Sequence, residues 1–114
     1  MDLVGKNFAD ASDVTELPLL REEVVEVGGF RIGREVTEPG WRWSEHARPA
    51  LGGDWCQDRH LGITVSGRWG VSLPDGRSIE YGAGDVFDVP AGHDSWTIGD
   101  EPCVTMTWTI VSDA

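Results

Sequence analysis

The sequence predicts a single all-β domain, and three observations carry that prediction. In the run Gly84–Trp96, GDVFDVPAGHDSW, Val86, Asp88 and Pro90 alternate with Phe87 and Val89, the period of two expected of a strand. Pro90 has no N–H to continue a ladder and Gly92 turns the chain, so beyond that turn His93 and Ser95 share one face, Asp94 and Trp96 the other. The final stretch, Cys103 to Val111, alternates Val104, Met106, Trp108 and Ile110 with Thr105, Thr107 and Thr109, which predicts a strand with an apolar core face. Fifteen Gly and six Pro, with few helical stretches, fit a chain of strands joined by tight turns.

Taken in order, residues 1–13 are polar with a thin apolar thread (Leu3, Val4, Phe8) and no period, so they read as an N-terminal arm. Residues 14–114 form the domain. Leu17–Leu20 and Glu22–Val27 read as short strands, followed by a turn at Gly28-Gly29. Phe30–Val36 alternates and ends at Glu38-Pro39-Gly40, where Pro and Gly stand in turn order. Trp41 and Trp43 stand on one face of the next extended piece, either as core or as the aromatic wall of a pocket. His46 then leads into the Gly/Pro/Ala-rich loop Ala47–Gly53, the most lid-like segment, and a His there either guards an entrance or faces solvent. In the strand that follows, His60, Gly62, Thr64 and Ser66 share one face and Leu61, Ile63 and Val65 the other. Trp69, Val71 and Leu73 run to Pro74–Arg77, a hairpin turn from which Ile79 and Tyr81 return. A second hairpin is expected near Gly99–Pro102.

The spacing Gly84, Pro90, Gly92 resembles the second signature motif of the cupins, β-barrels of the double-stranded β-helix or jelly-roll type. Trp41/Trp43, Cys56/His60, Ser66-Gly67-Arg68, Asp75-Gly76, Gly92-His93-Asp94-Ser95-Trp96 and Gly99-Asp100-Glu101-Pro102 are similar to small single-domain bacterial cupins of largely unassigned function. The resemblance spans about Trp41 to Trp108 and implies a jelly-roll barrel around a small-molecule pocket. It departs from the family at the metal ligands. Ser95 stands where the motif carries its last His, and the upstream motif positions fall on Asp54, Cys56 and His60. The family register also turns the His60 face inward, whereas burial alone would choose Leu61, Ile63 and Val65. Both are satisfied if the apolar face is covered by the N-terminal strands or by a second copy, so a homodimer is expected.

Net charge is −11 with a single Lys, Lys6, which argues against nucleic acid or an anionic membrane as partner, because both select clustered basic residues. No charged-then-apolar leader is present, and no apolar run nears the ~20 residues of a membrane span, so a cytoplasmic protein is expected. Cys56 and Cys103 are then expected as free thiols.

Cys56, His60 and His93 form the candidate metal set, and thiolate with two imidazoles suits Zn²⁺ or Fe²⁺ with a position left open. In the alternative, Cys56 is a small buried apolar residue and the imidazoles hydrogen-bond within a metal-free pocket. His60 and His93 are the candidate catalytic acid–base groups. Trp43, His46, Cys56, His60, His93, Trp96, Met106 and Trp108 are the expected pocket lining. Two functions follow from the same pocket: a small-molecule binding or sensing protein, and an enzyme acting on a small organic substrate.

Overall fold

The computed structural model describes residues 2–111, so the end of the expected domain, residues 112–114, lies outside it. Nine strands form two antiparallel sheets: β1 (Asp13–Leu17), β2 (Leu20–Val27), β3 (Phe30–Thr37), β4 (His60–Ser66), β5 (Arg68–Ser72), β6 (Ser78–Gly82), β7 (Val86–Val89), β8 (Asp94–Ile98) and β9 (Cys103–Ile110). The larger sheet has the order β1-β2-β3-β9-β4-β7 and the smaller one β6-β5-β8. Four connections, β4 to β5, β6 to β7, β7 to β8 and β8 to β9, pass from one sheet to the other and wrap the pair around a common interior. Among the described residues the helical pieces are short: a 3₁₀ turn at Phe8–Asp10, a π-helical turn at Trp43–Ala47 and α1 at Arg48–Leu51.

Several turns differ from the sequence reading. Leu17–Leu20 is the hairpin between β1 and β2, with Pro18-Leu19 at its tip and Leu19 at φ 62°. Leucine seldom adopts a left-handed backbone, so nothing in the sequence marked this turn. Pro74–Arg77 closes the β5–β6 hairpin as expected. Gly99–Pro102 does not close one, because β8 pairs with β5 while β9 pairs with β3 and β4. Trp41 and Trp43 do not share an extended piece either. Asp94 accepts hydrogen bonds from the Ser44 amide and hydroxyl at 3.0 and 2.9 Å, and this anchor draws Trp43–Ala47 into its helical turn.

Two apolar clusters fill the interior. Trp69, Val71, Phe87, Val89 and Cys103 pack between the sheets, with the Trp69 and Phe87 rings edge to face at 4.9 Å. Trp41, Trp43, Ala47 and Cys56 pack against Leu17 and Leu20. Full burial of a side chain such as Phe87 or Val89 contributes on the order of 1.5–3 kcal/mol. On β4 the His60 face points inward and Thr64 is fully buried, accepting the Trp69 Nε1–H at 2.9 Å, while Leu61 and Val65 are exposed. β9 also reverses the expectation from its pattern: its threonine face lines the interior, and Val104, Met106 and Trp108 lie half-buried on the outer face of the sheet.

A candidate metal centre in the interior cavity

Between the clusters lies a cavity of about 220 Å³, walled by β1, β2, β3 and β9 on one side and by Trp69, Phe87, His93 and Ser95 on the other. Cys56, His60 and His93 meet on its wall. Their ligand atoms all lie within 4.8 Å of one another, with Cys56 Sγ 3.7 Å from His60 Nε2. The sulfur–nitrogen separation across a tetrahedral Zn²⁺ with ordinary bond lengths is about 3.6 Å, so the Cys56–His60 pair already has the spacing an ion would need.

Backbone bonds hold two of these residues together. The Cys56 amide donates to the His93 carbonyl at 2.8 Å, and the Gly92 amide donates to the Cys56 carbonyl at 2.6 Å, an isolated bridge between chain segments far apart in sequence. His93 Nδ1 lies 2.7 Å from the Pro90 carbonyl, which as an acceptor fixes the proton on Nδ1 and leaves Nε2 with its lone pair free. The turn that Pro90 and Gly92 impose therefore sets the ligand's tautomer as well as its position.

Electrostatics favour the metal-ready protonation state of both imidazoles. Burial, aided by His93, lowers the His60 pKa to about 4, and burial likewise depresses that of His93, so both rings are neutral near pH 7. Burial raises the pKa of the Cys56 thiol, so without a cation nearby it stays protonated and a poor nucleophile. Both Cys56 and Cys103 are buried and free.

Of the residues read from sequence as pocket lining, Trp43, Cys56, His60 and His93 line the cavity, whereas His46, Trp96, Met106 and Trp108 do not. His46 Nδ1 turns back to accept the Arg42 amide at 3.0 Å within its own turn. Trp96 stacks under the Arg42 guanidinium, 4.7 Å from its ring centre, and covers Gly70. Met106 and Trp108 are carried to the outer face by the alternation of β9.

The cavity also holds residues that the sequence reading passed over. Glu22 and Glu35 face each other across β2 and β3, Asp58 lies near the mouth, and Thr15, Thr37, Thr105 and Thr107 complete a polar wall. Glu35 is enclosed by protein yet touches the cavity, and desolvation with the charge of Glu22 raises its pKa to about 8. Desolvation raises that of Glu22 too, against the opposing pull of Arg31. The threonine face of β9 was the available signal, since polar residues repeating on an inward face mark a wet interior. Trp41 and Trp43, each 5% exposed, line the same space with Nε1–H groups that have no protein acceptor. Leaving such a donor unsatisfied costs on the order of 1–3 kcal/mol.

No protein-family model matches the sequence, and no curated protein matches it closely. Solved structures do match. The polyketide cyclase RemF from Streptomyces resistomycificus superposes with a TM-score of 0.67 at 17% identity, over 97% of this chain and 81% of that one. A cupin-like protein from Thermotoga maritima gives 0.58 at 17% identity, covering 80% and 68% of the two chains. This chain has the cupin fold. Bacillus subtilis oxalate decarboxylase aligns with 90% of this cupin-fold chain at a TM-score of 0.63 and 23% identity, the match covering 28% of the decarboxylase. At such identities the likeness is one of architecture. No helix among the described residues is long and apolar enough to cross a membrane.

Proposed function

We propose that this cupin-fold protein binds a small organic molecule in its interior cavity, beside a divalent metal held by Cys56, His60 and His93. The observation that carries the reading is the convergence of one thiol and two imidazoles on a cavity wall, with the His93 tautomer set by Pro90. The donor set fits Zn²⁺ first and Fe²⁺ second, and three protein ligands leave a position open toward the cavity. A metal bound there would supply Lewis-acid polarisation of a ligand oxygen and a bound water of lowered pKa. That capacity favours an enzyme over a passive sensor, with His60 and His93 acting through their nitrogens. Residues 14–114 carry the site and residues 1–13 serve as an arm. The net charge of −11 fits a small-molecule partner rather than nucleic acid, and a cytoplasmic location accords with the free thiols.

Metal analysis of protein purified without chelator tests the reading. One equivalent of Zn or Fe per chain is expected, lost in Cys56→Ala and in His60→Ala. Chelator should lower Tm, because an ion that binds only the folded state stabilises it by mass action. Affinity should fall as pH drops, because the Cys56 thiol, whose pKa burial raises, must lose its proton to bind. Metal-free protein whose Tm ignores added Zn²⁺ would return the cavity to the purely organic-ligand reading.

A further inference from the structure

Charge pairing across the large sheet follows a rule with one exception. Directly opposed charged residues on β1, β2 and β3 are Glu16 with Arg21, Glu23 with Arg34, Glu26 with Arg31, and Glu22 with Glu35. The first three pairs are joined as ion pairs. The fourth sets two carboxyls against each other on the inner face, and neither has a hydrogen-bond or ion-pair partner among the described residues. Like charges directly opposite destabilise a sheet, so the empty cavity tolerates this pair only by keeping a proton on it, and an arriving cation could take that proton's place.

Arg31, outside the cavity lining, attracts Glu22 without bonding to it, and among the described residues no protein cation serves Glu35. Among the described residues the cavity wall carries Glu22, Glu35 and Asp58 but neither Lys nor Arg, and its two imidazoles are held neutral. Independently, Trp41 and Trp43 line the same wall. An occupant suited to it therefore combines a cation for the carboxyls with a body flat enough to lie against aromatic rings.

We infer that Glu22 and Glu35 form an amine-binding subsite, taking the protonated amine of a small ligand whose remaining surface lies against Trp41 and Trp43. This rests on the reading of the cavity as a ligand pocket and names the class of ligand. Facing Glu35 are Glu22 from β2, Cys103 and the threonines of β9, and, across the cavity, Cys56, Asp58, His60 and His93. With its pKa near 8, Glu35 is mostly protonated at pH 7 in the empty pocket, and an arriving ammonium ionises it. Binding then releases up to one proton, and affinity rises between pH 6 and pH 8.

The test uses three phenols of different charge, tyramine, para-cresol and para-hydroxybenzoate, titrated calorimetrically into the whole protein in two buffers of different ionisation enthalpy. Tyramine should bind at least tenfold more tightly than para-cresol, with proton release at pH 7, and para-hydroxybenzoate should bind weakest. Glu35→Gln, a neutral isostere of the acid already present at pH 7, should abolish the release and reduce the preference for tyramine at least tenfold. Glu22→Gln should also weaken tyramine, with para-cresol binding unchanged in both variants. Equal binding of the three phenols, a preference for the anion, or tyramine binding untouched by both substitutions would overturn the amine subsite while the cavity remained a ligand pocket. Failure of all three to bind would also overturn it. Metal stoichiometry, measured on the same sample, reports separately on the Cys56, His60 and His93 centre.

Discussion

Two buried titratable groups pull stability in opposite directions along the pH axis. Glu35 has a folded pKa above its unfolded value, so the folded state holds its proton more tightly, and its stabilising contribution fades as pH rises from about 4.5 to about 8. His60 has a folded pKa near 4, below its unfolded value, so stability is lost as pH falls from about 6.5 to 4. The two windows overlap only on the acid side. Between pH 6.5 and pH 8.5, metal-free protein should lose stability through Glu35, by about 2 kcal/mol at most and less to the extent that cavity water screens it. Thermal melts should show that decline in the native protein and a flat profile in Glu35→Gln. A Tm that rises across this range would contradict the burial assigned to Glu35. Residue by residue, the site was partly legible in the sequence: Cys56, His60 and His93 stood out because their chemistry is rare and their spacing short. Glu22 and Glu35 did not, because on strands that alternate charge and aliphatic side chains a glutamate facing a cavity looks like one facing solvent.

At the level of elements, turns carrying both Gly and Pro were readable as turns, though Gly99–Pro102 joins two sheets instead of closing a hairpin, and turns without a glycine were missed. Pro90 and Gly92 marked the β7–β8 connection, whereas Pro18-Leu19 was hidden by its apolar neighbours and Trp43–Ala47 was coiled by a distant aspartate, Asp94. The crossing of β4 and β9 gives the sharpest prediction at this scale. A methyl on Gly62 would overlap the Met106 carbonyl oxygen and lie 2.9 Å from the carbonyl carbon, on the neighbouring strand, where no side-chain rotation offers relief. Gly62→Ala should therefore destabilise by about 3 kcal/mol or more, the range of severe core overpacking, and should also displace His60 two residues away. Gly76→Ala is the control for φ alone, since its added carbon meets nothing within 4 Å although its φ is 91°. Chemical denaturation should rank Gly62→Ala well below Gly76→Ala, and equal losses would mean that β4 and β9 can separate without penalty.

For the whole molecule, the large sheet leaves an outer face that the chain covers only in part. The Phe8 ring lies 4.6 Å from the Arg34 guanidinium, so the N-terminal segment shields part of it, but Phe30, Leu61, Val65, Val86 and Ile110 stay exposed. A second copy on this face is the expected cover. Light scattering at micromolar concentration should give twice the chain mass, and Leu61→Glu with Val65→Glu should give monomers that keep their metal. A native monomer across that range would show that the chain tolerates the open face. The alternation of β4 could not settle which face turned inward, since Leu61, Ile63 and Val65 are the better core residues by hydrophobicity alone. Its inward face is polar because it borders a cavity rather than filling one.

The bridge between Cys56 and His93 also acts as a hinge stop. On its N-terminal side, α1 and the Gly52-Gly53 pair, both with φ of 81°, hold Leu51 over the cavity. The backbone bonds at Cys56 end that segment before it reaches the donor atoms. On the proposed function, a loop that opened for a ligand would turn at the glycines and stop at the bridge, leaving sulfur and imidazoles in register. Ligand exchange and metal release would then be kinetically separate. Hydrogen exchange should show it directly, with slow amides at Cys56 and Gly92 beside fast ones at Gly53 and Asp54, even after the metal has been stripped. Exchange that is equally fast across all four would mean that the gate and the centre open as one.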